Sequence, residues 1–251
     1  MEKPFPKIIG HRGCRAPGVR ENTAAAAAKA VAEGADIVEF DVIQTKDGHF
    51  VALHWPDLRF LFSPPWERRL EELPPVSTVG EILSALGNRT GVYLDIKQPL
   101  SDRQFLELSQ IVDSFQFSLV VVGSFQRGVL SACREHKPNW IVNFDCLPTH
   151  RAVRQAIELG AHWINPIPYG VRRSFVELVL DSGLKFVPAG NESDRRQLRF
   201  ARWGAHALST FRPAHLRRLL AARLYPGAPV PDCHSAEDTR PSVACHPARR
   251  G

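Results

Sequence analysis

Residues 37–54 read IVEFDVIQTKDGHFVALH, and they decide the fold. Residues 37–43 form an apolar run broken by two carboxylates, which is typical of a strand buried on both faces in a parallel sheet. Asp47-Gly48 is a strong reverse-turn signal, because glycine tolerates the positive φ that a tight hairpin requires. A second apolar run, 50–54, follows this turn. The stretch therefore predicts a strand of a parallel sheet that doubles back as a hairpin.

Short apolar runs alternate with segments of helical periodicity along most of the chain, which is typical of βα units around a parallel sheet. The helix after the first strand is predicted at 22–33, where capping residues precede an alanine block. Eight strands of the parallel sheet are predicted, at 7–10, 37–43, 92–96, 119–122, 141–144, 162–165, 185–187 and 206–209. The predicted fold is an α/β protein, a TIM-type (β/α)8 barrel with a hairpin extension after strand 2.

The chain of 251 residues suffices for one such barrel, and two smaller domains are the alternative. Residues 1–223 are predicted to form the barrel domain. Residues 224–251 are rich in proline, arginine and small side chains that cannot bury a core, so a disordered C-terminal tail is predicted. Residues 56–77 contain five prolines among apolar and aromatic residues, and they predict an irregular lid or loop directly after His54.

Composition and charge exclude several classes of protein. With 44% hydrophobic and 23% charged residues, the chain is neither disordered overall nor a coiled coil. The net charge of +6 favours anionic partners, but the basic residues are dispersed and no nucleic-acid-binding motif accompanies them, so no nucleic-acid partner is predicted. Five widely spaced cysteines, none in a Cys-x-x-Cys pair, argue against a disulfide framework and a zinc knuckle.

The N-terminal residues MEKPFPKIIGHRG contain no apolar run long enough for a signal peptide or a membrane span. A cytoplasmic protein without an integral membrane segment is therefore predicted. The sequence leaves the oligomeric state open.

Candidate catalytic side chains follow from the barrel, because its active-site groups lie at the C-terminal ends of the strands. Glu39 and Asp41 are two residues apart, so the alternation of a strand points both carboxylates to the same side, towards the barrel interior. Polar residues recur at such positions in the first three strands: His11 and Arg12 after the first, Glu39 and Asp41 in the second, Asp95 and Lys97 at the third.

The paired carboxylates indicate a metal site. Two adjacent carboxylates repel each other, and a shared proton or a bound cation would relieve that repulsion. A solvated strand end is the alternative, but Glu39 and Asp41 within an apolar run would then bury charge without compensation. Asp95 from the next strand could supply a third oxygen. Because hard oxygen ligands suit Mg2+ or Ca2+, one divalent cation is predicted at Glu39, Asp41 and Asp95.

His11 and His54 flank these carboxylates in the sequence and are predicted to be a catalytic proton-transfer pair, since histidine titrates near neutral pH. Isolated histidines are more often structural, but these two accompany an arginine and paired carboxylates. Arg12 and Lys97 could stabilise the extra negative charge that a phosphodiester acquires in its transition state. Substrate-binding roles are therefore predicted for Arg12 and Lys97.

Several of these residues occur in motifs that together resemble the glycerophosphodiester phosphodiesterase family. The motifs are His11-Arg12-Gly13, Glu21-Asn22-Thr23, Gly34-Ala35-Asp36, Glu39-Phe40-Asp41-Val42, Thr45-Lys46-Asp47-Gly48 and His54, with weaker matches from Asp95-Ile96-Lys97 to Pro213. The resemblance implies a phosphoric diester hydrolase that cleaves a small glycerophosphodiester to glycerol 3-phosphate and an alcohol. The glycerol 2-hydroxyl is then the attacking group.

The resemblance also implies a role for each matched residue. His11 corresponds to the general base of the family and His54 to its general acid. Glu39 and Asp41 correspond to metal ligands. Arg12 and Lys97 correspond to positions that contact the phosphate.

Four positions depart from the family pattern. Asp95 stands where the family usually has Glu, and its side chain is one methylene shorter, which predicts a lower metal affinity. Trp55 stands where Asp is usual, residues 188–191 replace an aromatic-containing stretch, and Phe211 occupies a position where Asp is common.

Two alternatives to a glycerophosphodiester hydrolase stay open on the sequence. One is a lysophospholipid-acting phosphodiesterase of the same family, for which Phe60, Phe62 and Trp66 would form an apolar wall, although packing beneath the lid explains these aromatics equally well. The other is a catalytically weak barrel that binds phosphoesters or a protein partner, which the departures from the family pattern favour.

Overall fold

The computed structural model of the protein describes residues 4–55 and 63–226. Phe60, Phe62 and all but the first three residues of the predicted tail lie outside the described residues. The strands are β1 (Lys7–Gly10), β2 (Ile37–Gln44), β3 (Phe50–Ala52), β4 (Gly91–Ile96), β5 (Val120–Ser124), β6 (Ile141–Cys146), β7 (Trp163–Pro166), β8 (Lys185–Phe186) and β9 (Ala207–Thr210). The helices are α1 (Ala24–Ala32), α2 (Val79–Leu86), α3 (Asp102–Asp113), α4 (Arg127–His136), α5 (His150–Glu158), α6 (Arg173–Asp181), α7 (Asp194–Trp203) and α8 (Pro213–Arg223). Across the two described ranges, none of the helices has the length and apolar character needed to cross a membrane.

Eight parallel strands form a barrel in the order β8-β7-β6-β5-β4-β2-β1-β9. β8 and β9 meet through backbone hydrogen bonds from His206 N to Phe186 O (2.8 Å) and from Asn191 N to Ser209 O (3.3 Å). Helices alternate with the strands, as right-handed βα crossovers require. The predicted (β/α)8 barrel is confirmed.

The hairpin extension lies where the Asp47-Gly48 turn predicts it. β3 runs antiparallel to β2, with Val42 opposite Ala52 and Gln44 opposite Phe50. β3 is shorter than the predicted run 50–54, and just beyond its end the backbone N–H of Leu53 still donates to Asp41 O (3.1 Å). The hairpin therefore returns the chain to the C-terminal end of β2 and places His54 beside the barrel mouth.

Apolar side chains fill the barrel interior below the mouth. Along β2, Ile37 belongs to this interior layer, and the alternate residues Glu39 and Asp41 follow on the same side of the strand. Burying one such aliphatic or aromatic side chain contributes about 1.5–3 kcal/mol. The layer consists of Ile9, Ile37, Tyr93, Val121, Trp163, Val187 and Ala207.

Helix α1 begins two residues after its predicted start at Asn22. Asn22 has a positive φ of 57°, which a helix does not accept. Thr23 is the N-cap, and its hydroxyl accepts a hydrogen bond from Ala26 N (3.2 Å). Asn22 therefore lies outside the helix, where its side chain reaches the barrel mouth.

Residues 63–77 are the described part of the predicted lid, and they contain two short 3-10 helices, Pro65–Glu67 and Leu70–Glu72. Trp66 packs edge-on against Trp55, with the ring centroids 5.2 Å apart. Both tryptophans pack against a small buried cluster that contains Ile43 and Val51. This contact supports a packing role for Trp66.

Candidate active site

Two buried carboxylates and one that is largely buried lie together at the C-terminal ends of β2 and β4. Glu39 and Asp41 are only 3% and 1% exposed, and the side chain of Asp95 is 14% exposed. Asp41 and Asp95 are register partners on the neighbouring strands. One carboxylate oxygen from each of the three residues lies within 4.8 Å of the others. The structure thus brings the three predicted metal ligands together.

The charges of this cluster are only partly balanced. Lys97 Nζ lies 2.9 Å from Asp41 Oδ1 and also pairs with Asp95, and Arg12 Nε lies 3.0 Å from Asp41 Oδ2. Burial would raise the pKa of Asp41, but Lys97 and Arg12 outweigh it and hold that pKa below its ordinary value. Burial, reinforced by Asp41 and Asp95, raises the pKa of Glu39 well above its ordinary value. Asp41 is therefore the carboxylate that the two cations neutralise, and Glu39 is the one left uncompensated.

The donor set fits a hard divalent cation. Glu39 Oε2 accepts a hydrogen bond from Arg12 N (2.7 Å), whereas Glu39 Oε1 and Asp95 Oδ1 are buried without a hydrogen-bond partner among the described residues. Unpartnered buried carboxylate oxygens carry a large desolvation cost, which a bound cation removes. Three carboxylates supply the oxygen ligands that Mg2+ and Ca2+ prefer.

His11 lies at the end of β1 on one side of the carboxylates. Its Nε2 atom is 3.9 Å from Glu39 Oε2, and its ring packs against Phe211 with the centroids 4.6 Å apart. Glu192 fixes Phe211 by accepting a hydrogen bond from its backbone N–H (2.8 Å). Burial, with Arg12 next, lowers the pKa of His11 to about 3, so the ring is neutral at physiological pH and has a free lone pair.

His54 is half-buried and opens on a different cleft. Burial lowers its pKa, and Asp41 partly opposes that shift. Arg12, Asp41, Lys97 and Glu21 act on the pKa of both histidines, which shows that the two rings surround one charged centre. A small cleft of about 40 Å³ is lined by His11, whereas a larger one of about 360 Å³ is lined by His54.

Arg12 is fixed by a left-handed backbone conformation and by contacts on three sides. Its φ is 52°, and its Nη1 donates to Glu21 Oε1 (2.8 Å) while its Nε faces Asp41. Asn22 supports the same carboxylate by donating from Nδ2 to Asp41 Oδ2 (2.7 Å) and accepting from Asp41 N (3.1 Å). The two predicted phosphate-contacting cations, Arg12 and Lys97, therefore lie at the mouth beside the carboxylates.

Sequence reasoning missed Asp145, a fourth carboxyl group in the barrel interior. Asp145 is 3% exposed, and its Oδ1 accepts hydrogen bonds from Asn165 Nδ2 (2.8 Å) and Asn143 Nδ2 (3.0 Å). Burial, with Asp95 next, raises its pKa well above the ordinary value. The alternation Asn143-Phe144-Asp145 repeats that of Glu39-Phe40-Asp41, and this signal could have identified it.

Gly190 forms one wall of the His11 site. A Cβ atom at this position would lie 2.3 Å from His11 Nδ1. We expect Gly190→Ala to displace the His11 ring and to lower kcat/KM by about 10- to 100-fold, because small misplacements of a catalytic group have effects of that size. Steady-state kinetics and a thermal melt test this. Gly80→Ala is the matched control, since nothing lies within 4 Å of its added Cβ. Equal activity of the two variants would show that the contact is unimportant.

Comparisons with known proteins agree with this fold. Residues 11–63 match the Glycerophosphoryl diester phosphodiesterase family. The Glycerophosphodiester phosphodiesterase of Caldanaerobacter subterraneus subsp. tengcongensis is 24% identical over 242 residues, which cover 85% of this chain and 97% of that relative.

Solved structures show the same barrel. A phosphodiesterase from Oleispira antarctica, in complex with the product sn-glycerol-3-phosphate, has a TM-score of 0.76 at 17% identity, covering 86% of this chain and 96% of that one. A glycerophosphodiester phosphodiesterase from Parabacteroides distasonis has a TM-score of 0.76 at 18% identity, covering 89% of this chain and 99% of that one. At these identities the structural likeness shows the fold.

The barrel and the sequence matches place the protein in the class of phosphoric diester hydrolases. The predicted resemblance to the glycerophosphodiester phosphodiesterase family is confirmed by the match of residues 11–63 and by the 24% identical relative.

Proposed function

We propose that the protein is a metal-dependent phosphodiesterase that cleaves glycerophosphodiesters to glycerol 3-phosphate and an alcohol. The observation that carries the proposal is the cluster of Glu39, Asp41 and Asp95 with His11 and His54 around it. The product bound by the Oleispira antarctica phosphodiesterase supports a substrate of this class. The family match covers the motifs that contribute four of these five residues.

The proposed mechanism begins at His11. Its neutral ring accepts the proton of the glycerol 2-hydroxyl, and that oxygen attacks phosphorus. The bond from phosphorus to the leaving alcohol breaks, and His54 in its protonated form donates a proton to the departing alkoxide. Water then opens the resulting cyclic ester to release glycerol 3-phosphate. The negative charge of the bound phosphodiester favours protonation of His54, which opposes the lowering of its pKa by burial.

Charge stabilisation is the task of the remaining residues. Arg12 and Lys97 are positioned to contact the phosphate oxygens, since both lie beside the carboxylates. Glu39, Asp41 and Asp95 would hold a divalent cation, Mg2+ or Ca2+, which when bound supplies Lewis-acid stabilisation of the phosphate.

The proposal predicts strict dependence of turnover on a divalent cation. Purified protein incubated with glycerophosphocholine should form glycerol 3-phosphate with Mg2+ or Ca2+, and a chelator should abolish the reaction. The cation should also raise the melting temperature, since a ligand at 100 times its Kd contributes about 2.7 kcal/mol to the free energy of unfolding. Product formation that the chelator leaves unchanged would contradict the metal site.

The same assay decides between the proposal and its alternatives. Metal binding without turnover of any diester would favour the phosphoester-binding barrel. Cleavage of lysophospholipids in preference to deacylated diesters would favour the lysophospholipid-acting phosphodiesterase. Of the three aromatics that motivate that reading, Trp66 packs on Trp55, and Phe60 and Phe62 lie outside the described residues. The barrel domain at 1–223, the tail at 224–251 and the cytoplasmic location remain predictions.

A further inference from the structure

The cleft beside His54 has a lining distinct from that of the His11 cleft. It has a volume of about 360 Å³, and its polar wall contains Arg15, Arg20, Glu21 and His54. Its apolar lining includes Pro74, Pro75 and Val76. None of the residues lining the His11 cleft lines this one. His11 and His54 therefore line two separate cavities.

The charges that line the larger cleft are unbalanced. Glu21 is already paired, because its carboxylate accepts from Arg12 Nη1 at 2.8 Å and from Arg15 Nη2 at 2.7 Å. Arg20 instead donates to the backbone carbonyl of Pro75, a neutral acceptor. No carboxylate in the described part of the chain lies within ion-pair distance of Arg20. Apart from His54, two guanidinium groups accompany one carboxylate, so the described part of the lining carries one net positive charge.

Arg20 is also held in place at the cleft. The hydrogen bond to Pro75 joins its guanidinium to the apolar wall, which restricts the side chain before a ligand arrives. A planar guanidinium offers two parallel N–H donors to a carboxylate or a phosphate. A quaternary ammonium group is recognised by an aromatic cage, and the described lining of this cleft contains no Phe, Tyr or Trp.

We propose that this cleft is the leaving-group subsite and that Arg20 selects glycerophosphodiesters whose leaving alcohol carries a carboxylate or phosphate. The inference rests on the proposed function, in which His54 protonates the departing alcohol. That alcohol must then lie on the His54 side of the carboxylates, within reach of Arg20.

Three diesters of sn-glycerol 3-phosphate that differ in leaving-group charge test the inference. The leaving alcohols are 3-aminopropanol (cationic), 3-hydroxypropanamide (neutral) and 3-hydroxypropionate (anionic), which share a three-carbon chain. We expect kcat/KM to be about tenfold higher for the anionic diester than for the neutral one and lowest for the cationic one. Raising the salt concentration should reduce the preference, because Arg20 is exposed to solvent.

Variants of Arg20 assign the preference to this side chain. Arg20→Gln should bring the ratio of anionic to neutral kcat/KM to about one, and Arg20→Glu should invert it. Arg103→Gln on α3 is the matched control, an exposed arginine that pairs with Glu107, and it should keep both the ratio and the rates.

The other possible outcomes distinguish a failure of the Arg20 role from a failure of the proposed phosphodiesterase function. Cleavage without a charge preference, or a preference that Arg20→Gln retains, would refute the role of Arg20 and leave the proposed phosphodiesterase function standing. Cleavage of none of the three diesters with Mg2+ or Ca2+ would refute both.

Discussion

Replacing His11 by alanine should lower kcat/KM for a glycerophosphodiester by about 10²- to 10⁴-fold, the usual contribution of general acid–base catalysis. The ring lies 3.9 Å from Glu39 and packs on Phe211, so its lone pair is available next to the carboxylate cluster. Steady-state kinetics with saturating cation measure the loss. His150→Ala is the control, because His150 is an exposed residue in the first turn of α5.

The pH dependence sharpens this test. The pKa of His11 is lowered to about 3 from its ordinary value of 6.5, so the ring stays neutral across the neutral range. A cation bound at the neighbouring carboxylates would lower that pKa further. The acid limb of kcat/KM that His11 controls should therefore lie well below pH 6.5. Activity of the His11→Ala variant within a factor of three of the wild type would remove His11 from the mechanism.

Local patterns account for most of the fold. Each barrel strand was predicted within two residues of its observed start and end, because an apolar run bounded by turn residues is a local feature. The alternation that predicted a shared face for Glu39 and Asp41 is equally local. Their proximity to Asp95 needed one further assumption, that consecutive barrel strands pair, and the register of β2 and β4 confirms it.

The parts of the site that the sequence did not reveal depend on contacts between distant segments. Asn22 was placed in α1, yet its left-handed φ lets it hydrogen-bond to Asp41, 19 residues along the chain. Gly190 and Phe211 were visible only as departures from a family pattern. In the structure Gly190 leaves room for the His11 ring, because a Cβ atom there would collide with it. The aromatic ring of Phe211 packs against the same histidine.

Three of the four departures from the family pattern lie around His11 or at the third carboxylate, whereas Trp55 packs against Trp66. Phe211 also lies under Arg15, whose guanidinium carbon is 4.0 Å from the ring centroid. Arg15 lines the cleft of His54. The Phe211 side chain therefore contacts both His11, the proposed general base, and a residue of the proposed leaving-group subsite. Changes at Phe211 should alter both histidine environments together.

Replacing Glu39 by glutamine should separate the metal site from the stability of the barrel. Glutamine has the shape of a protonated glutamate, and its oxygen can still accept the hydrogen bond from Arg12 N. We expect kcat/KM to fall by about 10³-fold, since a metal contributes several kcal/mol of charge stabilisation and each 1.36 kcal/mol is tenfold in rate. The cation should no longer raise the melting temperature.

The metal-free variant should be at least as stable as the metal-free wild type at neutral pH. The pKa of Glu39 is raised in the folded state by burial, Asp41 and Asp95, so between its ordinary value of 4.5 and the raised value the folded state binds more protons than the unfolded state. Stability of the wild type therefore falls as the pH rises through that window, and glutamine removes this loss. Denaturant unfolding of both proteins at several pH values measures the difference. Glu107→Gln on the exposed face of α3 serves as control. Destabilisation of the Glu39→Gln variant without metal would show that the ionised Glu39 supports the barrel. A metal-dependent shift in melting temperature that the variant keeps would show that Glu39 does not bind the cation.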